Sequence, residues 1–208
     1  MIHPGTCLRY IDEHIGYGVF ATEFIPAGTI TYVKDKLELE ISPEVFYSYP
    51  LELRAVVEKY SYIDEKGIRI VSWDFAKYIN HCCNCNSMST GYGFEIAIRD
   101  IYPGEEITDE YGMFNIENEM YLSCKYADCR KKVSALDIDL YASDWDEKVK
   151  AVLSKIFELH QPLLPLLEEE VLQKLNHFMQ VPEAYESVAK LKVTHPLVNL
   201  DFQQNGNL

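Results

Sequence analysis

No apolar run in the 208 residues is long enough to span a bilayer, and the opening MIHPGTCLRY has neither a basic stretch leading into an apolar core nor a cleavage site. A soluble intracellular protein, cytoplasmic or nuclear, is therefore the expectation, with no membrane partner. Positive charge is scarce: 19 lysines and arginines stand against 33 aspartates and glutamates, a formal net charge of −14, and no basic cluster of more than a few residues interrupts the acid. Such a surface repels a phosphate backbone, which argues against direct nucleic-acid binding. It suits encounter with a basic protein or peptide, although excess acid also serves solubility alone. Internal repeats and low-complexity tracts are lacking too, which excludes a solenoid. What is present, 48% apolar and 25% charged residues, describes one ordinary globular core.

The first half reads as short strands separated by turns. In IGYGVFATEFIPAGTITYV, apolar segments alternate with Gly16, Gly18 and a Pro26-Ala27-Gly28 turn. A helical insert is predicted at about 42–60, with Ser42 as cap, Pro43 at the first helical position and Leu53, Val56, Val57 and Tyr60 in periodic array. YSYIDEKGIRIVSW and GFEIAIRDIYPGEEITDEYG each read as strands joined by a glycine-containing turn. From Ser143 the period becomes helical through Trp145, Val149, Val152, Leu153, Ile156 and Leu159; it breaks at Pro162 and Pro165 and resumes at Val171, Leu172, Leu175, Phe178 and Met179. The last eight residues, DFQQNGNL, read as a frayed tail. The fold class is mainly β with helical additions.

Half of the six cysteines fall in YINHCCNCNS, residues 78–87, beside His81 and three asparagines. A metal knuckle, a cysteine nucleophile, a disulfide corner and a cofactor loop carrying a metal ligand all compete for this segment. A reducing compartment weakens the disulfide reading. Adjacency of His81 to Cys82 and Cys83 does not make a nucleophile-base dyad, because such dyads are assembled in space. Glu105 and Glu106 are adjacent on a strand, so they point to opposite faces and are expected on a solvated surface.

Three segments in order, GYGVFA, YINHCCNCN and GEEITDEYG, together resemble the SET-domain protein lysine methyltransferases over roughly residues 8 to 130. That family's loop runs Arg-Phe-Ile-Asn-His-Ser-Cys-x-Pro-Asn, against Lys77 to Asn86 here. Its later segment runs Gly-Glu-Glu-Leu-Thr-Tyr-Asp-Tyr-Gly, against Gly104 to Gly112. The resemblance implies a SET-domain fold of small curved sheets with a knot-like crossing, followed by C-terminal helices. It divides the chain into a SET domain at 1–121, a cysteine segment at 122–134 and a helical region at 135–208.

By the same resemblance the cofactor is S-adenosylmethionine and the substrate a lysine of a basic protein such as a histone tail. Tyr111 is the catalytic tyrosine and Tyr32 lines the lysine channel, although the glycine that follows it in the family is absent. Gly16, Tyr17 and Gly18 lie along the cofactor's methionine end, and Asn80 and His81 hold its amino-acid and adenine portions. Tyr78, Trp73 and Asp74 are expected to pack.

Two departures stand out. The family's trailing Cys-x-Cys-x4-Cys is reduced here to Cys124 and Cys129, with Leu122 in the first cysteine's place, while the loop gains Cys82 and Cys85. A zinc site of Cys83, Cys85, Cys124 and Cys129 is therefore expected, against the alternative that these thiols are small buried hydrophobes. Asp109 replaces an aromatic residue. These changes keep a second functional class open, an inactive SET-like module that binds a peptide or partner. A third is a zinc-stabilised interaction protein.

Overall fold

The computed structural model describes residues 1–124 and 126–194; the tail expected to fray lies outside them. Among the described residues, twelve short strands form four small sheets, accompanied by four α-helices and several 3-10 turns. In chain order they are β1 (Thr6–Asp12), β2 (Gly16–Ala21), β3 (Ile30–Val33), β4 (Leu39–Ile41), α1 (Pro43–Ser48), α2 (Leu51–Tyr60), β5 (Ser61–Ile63) and β6 (Arg69–Val71). Next come β7 (Asn80–His81), β8 (Ser87–Ser89), β9 (Phe94–Ala97), β10 (Glu106–Asp109), β11 (Met120–Tyr121), β12 (Lys132–Val133), α3 (Asp137–Leu153) and α4 (Glu169–Gln180).

The helical insert forms as its signals predict. Ser42 accepts from the Val45 amide at 3.4 Å, satisfying one orphan N–H of α1, and Pro43 supplies a preset φ. The β5–β6 hairpin turns at Gly67, whose φ of +79° suits glycine. GFEIAIRDIYPGEEITDEYG departs from the expected hairpin: β9 joins the sheet β3-β9-β8, whereas β10 joins β1-β2-β10-β7. A β9–β10 hairpin would leave β7 without its partner, since β10 pairs in parallel with β7, Thr108 opposite Asn80 and Asp109 opposite His81. That pairing is the crossing that positions the site. Fully buried Asn86 pins it, accepting from Thr108 N at 3.0 Å and donating to Glu106 O at 2.8 Å.

The C-terminal helices are not a separate layer. One core cluster combines Ile30, Val33, Met88, Phe94 and Ile96 of the sheet with Trp145, Val149, Val152, Leu153, Ile156, Leu175 and Phe178 of the helical region. Each such side chain, buried from water, contributes about 1.5–3 kcal/mol. Helix α3 starts at Asp137, six residues before the periodic pattern is visible. Its first turn is acidic, and Asp137 is fixed by Ser134 at 2.9 Å rather than by an apolar contact. Gln161 ties the helices to the β3 edge, accepting from Ile30 N at 2.8 Å and donating to Gly28 O at 2.7 Å. Among the described residues no helix is long and apolar enough to cross a membrane.

Candidate active site

Strand β2 opens at Gly16, whose φ of +86° lies in the region where a Cβ is strained. Gly18 is glycine for a different reason: a Cβ there would stand 2.6 Å from Glu106 Oε1 and 3.0 Å from Asn80 Nδ2. Those two atoms are themselves bonded, since Asn80 Nδ2 donates to Glu106 Oε1 at 2.8 Å and to Tyr17 O at 3.1 Å. The Asn80 amide thus staples the glycine strand to the loop. Glu106, expected on a solvated face, turns inward to receive it. The Tyr17 ring is half-exposed and meets Tyr10 and Tyr78 edge-on.

His81 faces inward, its Nδ1 accepting from Tyr111 N at 3.2 Å. An accepting Nδ1 places the proton on Nε2, which lies 3.3 Å from Cys83 Sγ. Desolvation favours this neutral form, lowering the pKa although Glu110 opposes it. The hydroxyl of Tyr111 donates to Ile79 O at 2.6 Å, beside the Asn80–His81 pair. Burial, then the charges of Asp109 and Glu95, raises its pKa and keeps it a phenol. Tyr32, opposite Glu95 in the β3–β9 ladder, donates to Glu38 at 2.8 Å and contacts Ser72 Oγ at 3.1 Å; burial likewise keeps it neutral.

Tyr32 and Tyr111 meet in one cavity of about 320 Å³. Its rim carries exposed Glu58, Asn118 and Met120, and its inner wall Tyr62, Phe114, Glu95 and Asp109. Burial pushes Asp109 up to about 7 and Glu95 well above its ordinary value. Glu95 was passed over in the sequence; a lone acid within the apolar GFEIAI strand was its signal. Tyr78, Trp73 and Asp74 carry packing and capping contacts: Tyr78 meets Tyr17 and Tyr60, Trp73 donates to Asp35, and Asp74 caps the turn at Ala76.

The cysteine segment folds back onto the crossing. Cys83, Cys124 and Cys129 place their sulfurs within 4.8 Å of one another, with Cys83 and Cys129 3.7 Å apart. Cys82 Sγ lies 3.7 Å from Cys124 Sγ. Cys85 is not in this group: it is buried among Met88, Phe94 and Met113 in the main core, so the expected ligand set loses Cys85. Cys85 follows the exposed Asn84 and is 2% exposed, whereas the other loop thiols, Cys82 and Cys83, are only partly buried. Arg130 locks the segment down with bonds of 2.8 and 2.7 Å to the carboxylate of buried Glu110 and a 3.2 Å contact to Asp137. The sequence offered no cue to this ion triad, because its members are 20 and 7 positions from Arg130.

Residues 16–112 match the family model described as the SET domain. ASHH4 of Arabidopsis thaliana, whose curated name assigns it provisionally as a histone-lysine N-methyltransferase, is 27% identical over 158 residues, 69% of this chain and 44% of the relative. The chain thus spans less than half of that relative's length. Two crystal structures of KRYPTONITE are similar. One, with mCHG DNA and SAH, gives 22% identity, 59% and 28% coverage of the two chains and a TM-score of 0.40. The other, with mCHH DNA, an H3(1-15) peptide and SAH, gives 19% identity, 62% and 29% coverage and a TM-score of 0.43. The match over residues 16–112 places a SET domain in that part of the chain, which holds the β7–β10 crossing.

Proposed function

We propose that this protein is an S-adenosylmethionine-dependent protein lysine N-methyltransferase acting on a basic protein, such as a histone tail. The observation that carries this reading is the Tyr111 hydroxyl, held at 2.6 Å on Ile79 O beside Asn80–His81, in the wall of a cavity that also contains Tyr32. The residues fit the cofactor. Open space surrounds the position a Cβ of Gly16 would take, so a ligand can approach that backbone closely, and the side chains of Asn80 and His81 hold the glycine strand and the tyrosine segment against the loop.

When bound, S-adenosylmethionine supplies the methyl group. This chain's part is alignment and exclusion of water: Tyr111 orients the amine, and the tyrosine-lined cavity confines it. The charge of −14 favours encounter with a basic substrate. The finer division into a SET domain at 1–121, a cysteine segment at 122–134 and a helical region at 135–208 belongs to this reading.

Zinc also fits Cys83, Cys124 and Cys129, with Cys82 as the fourth ligand in place of Cys85: its sulfur is 3.7 Å from that of Cys124, although it lies outside the group whose sulfurs are all within 4.8 Å of one another. A tetrahedral thiolate site with bonds of about 2.3 Å has S–S edges of about 3.8 Å, close to the two 3.7 Å separations. The amides of Arg130 and Lys131 point at Cys83 and Cys129 at 3.4 and 3.2 Å, as expected for sulfurs that carry negative charge. Such a site would fasten Cys124 and Cys129 to the loop.

Buried Asp109, where the family has an aromatic residue, favours a second reading, an inactive peptide-binding module. Calorimetric titration with S-adenosylmethionine decides between them. Saturable binding together with transfer of labelled methyl to histone H3 is expected; no heat at millimolar cofactor would retire the enzyme.

A further inference from the structure

Glu95 and Asp109 are 7% and 1% exposed, and both line the inner end of the cavity. They come from different sheets, Glu95 from β9 and Asp109 from β10, so only the tertiary fold brings them together. Their carboxyl groups are within hydrogen-bonding reach of each other. Yet Glu95 Oε2 and Asp109 Oδ2 have no donor among the described residues. Two acceptors facing one another attract only when a proton or a cation stands between them. Of their other oxygens, Asp109 Oδ1 accepts from Glu110 N at 2.7 Å, and Ser87 bonds Glu95.

The cations bordering the cavity are engaged elsewhere. Arg69 is paired with Glu117, Lys77 donates to the carbonyls of Ser72, Trp73 and Asp74, and Lys59 lies over the Tyr60 ring. Four aromatic residues, Tyr32, Tyr62, Tyr111 and Phe114, also line the cavity, and aromatic rings suit a cation's apolar stem and head alike. A buried carboxyl pair that retains a proton at neutral pH and can give it up, at the end of an aromatic-lined passage open to solvent, is thus complementary to an alkylammonium group.

We propose that the Glu95–Asp109 pair is a cation-recognising site at the inner end of this cavity, taking the primary ammonium group of an alkylamine, whose identity as a lysine side chain rests on the methyl-transfer reading. The pair then discriminates substrate by charge: an ammonium group stabilises its ionised form, and a neutral side chain of equal length does not. The confined volume and ring walls select a slender alkyl stem.

The test uses n-butylammonium chloride as probe and 1-butanol as its neutral counterpart, titrated into the full chain at constant ionic strength and followed by amide chemical shifts. With five heavy atoms the ammonium binds with a dissociation constant on the order of 1 mM. It is expected to bind at least about tenfold more tightly than butanol. Asp109→Asn and Glu95→Gln, both nearly isosteric, are each expected to abolish that preference while retaining the amide spectrum of the folded chain. Equal affinity of the wild type for both probes overturns the proposal, and so does an unchanged preference in either folded variant. A wild type that prefers the ammonium but never binds S-adenosylmethionine retires the methyl-transfer reading and leaves the cation site in place.

Discussion

The hydroxyl of Tyr111 donates to the carbonyl of Ile79 at 2.6 Å across 32 positions of chain, a partly buried bond that adds to the Tyr111 N to His81 bond in joining the tyrosine segment to the asparagine-histidine loop. Tyr111→Phe removes only that oxygen. Methyl transfer to histone H3 is expected to fall about 100-fold in kcat, while stability drops by only about 1 kcal/mol. Full activity in the variant, measured with labelled cofactor, would remove the hydroxyl from the mechanism.

Purified protein is expected to carry about one equivalent of zinc. Cys124→Ser and Cys82→Ser should lose it, and Cys85→Ala should keep it, because Cys85 is buried in the core away from the grouped sulfurs. Elemental analysis showing less than about half an equivalent in the wild type would count against the site.

Stability should respond to pH through Asp109. An unfolded aspartate loses its proton near pH 4, whereas burial holds the folded one to about 7. The folded state therefore binds more protons across that window, and stability falls as pH rises through it. Asp109→Asn is expected to raise Tm at pH 8 by at least about 2–4 °C and to change it little at pH 4. Equal shifts at both pH values, read by scanning calorimetry, would contradict the assignment.

Arg130→Ala leaves buried Glu110 with an uncompensated charge and releases Asp137. A loss of about 3–5 kcal/mol in urea unfolding is expected. Because Arg130 lies between the sulfurs and Glu110, zinc affinity should weaken in the same variant.

Gly18→Ala drives a methyl group into the Asn80–Glu106 bond, where 2.6 Å separates the new atom from Glu106 Oε1. Destabilisation of about 1–3 kcal/mol is expected. Cofactor affinity should fall with it, since the glycine strand and the loop can no longer close. Unchanged affinity by calorimetry would place the cofactor elsewhere.

The amino-acid sequence by itself determined the short strands, the insert capped at Ser42, the helical C-terminal third and the three spaced segments that mark the SET domain. These are written in local turn chemistry, in periodicity and in residue order, each legible within a few positions. Only the tertiary structure decided which thiols cluster, because the cysteines are alike in kind and the group joins Cys83 of the loop to Cys124 and Cys129, more than 40 positions away. It also decided that β9 and β10 enter different sheets, and so that Glu95 faces Asp109. Contacts between strands of separate sheets depend on how those sheets close around the core, which no local pattern encodes.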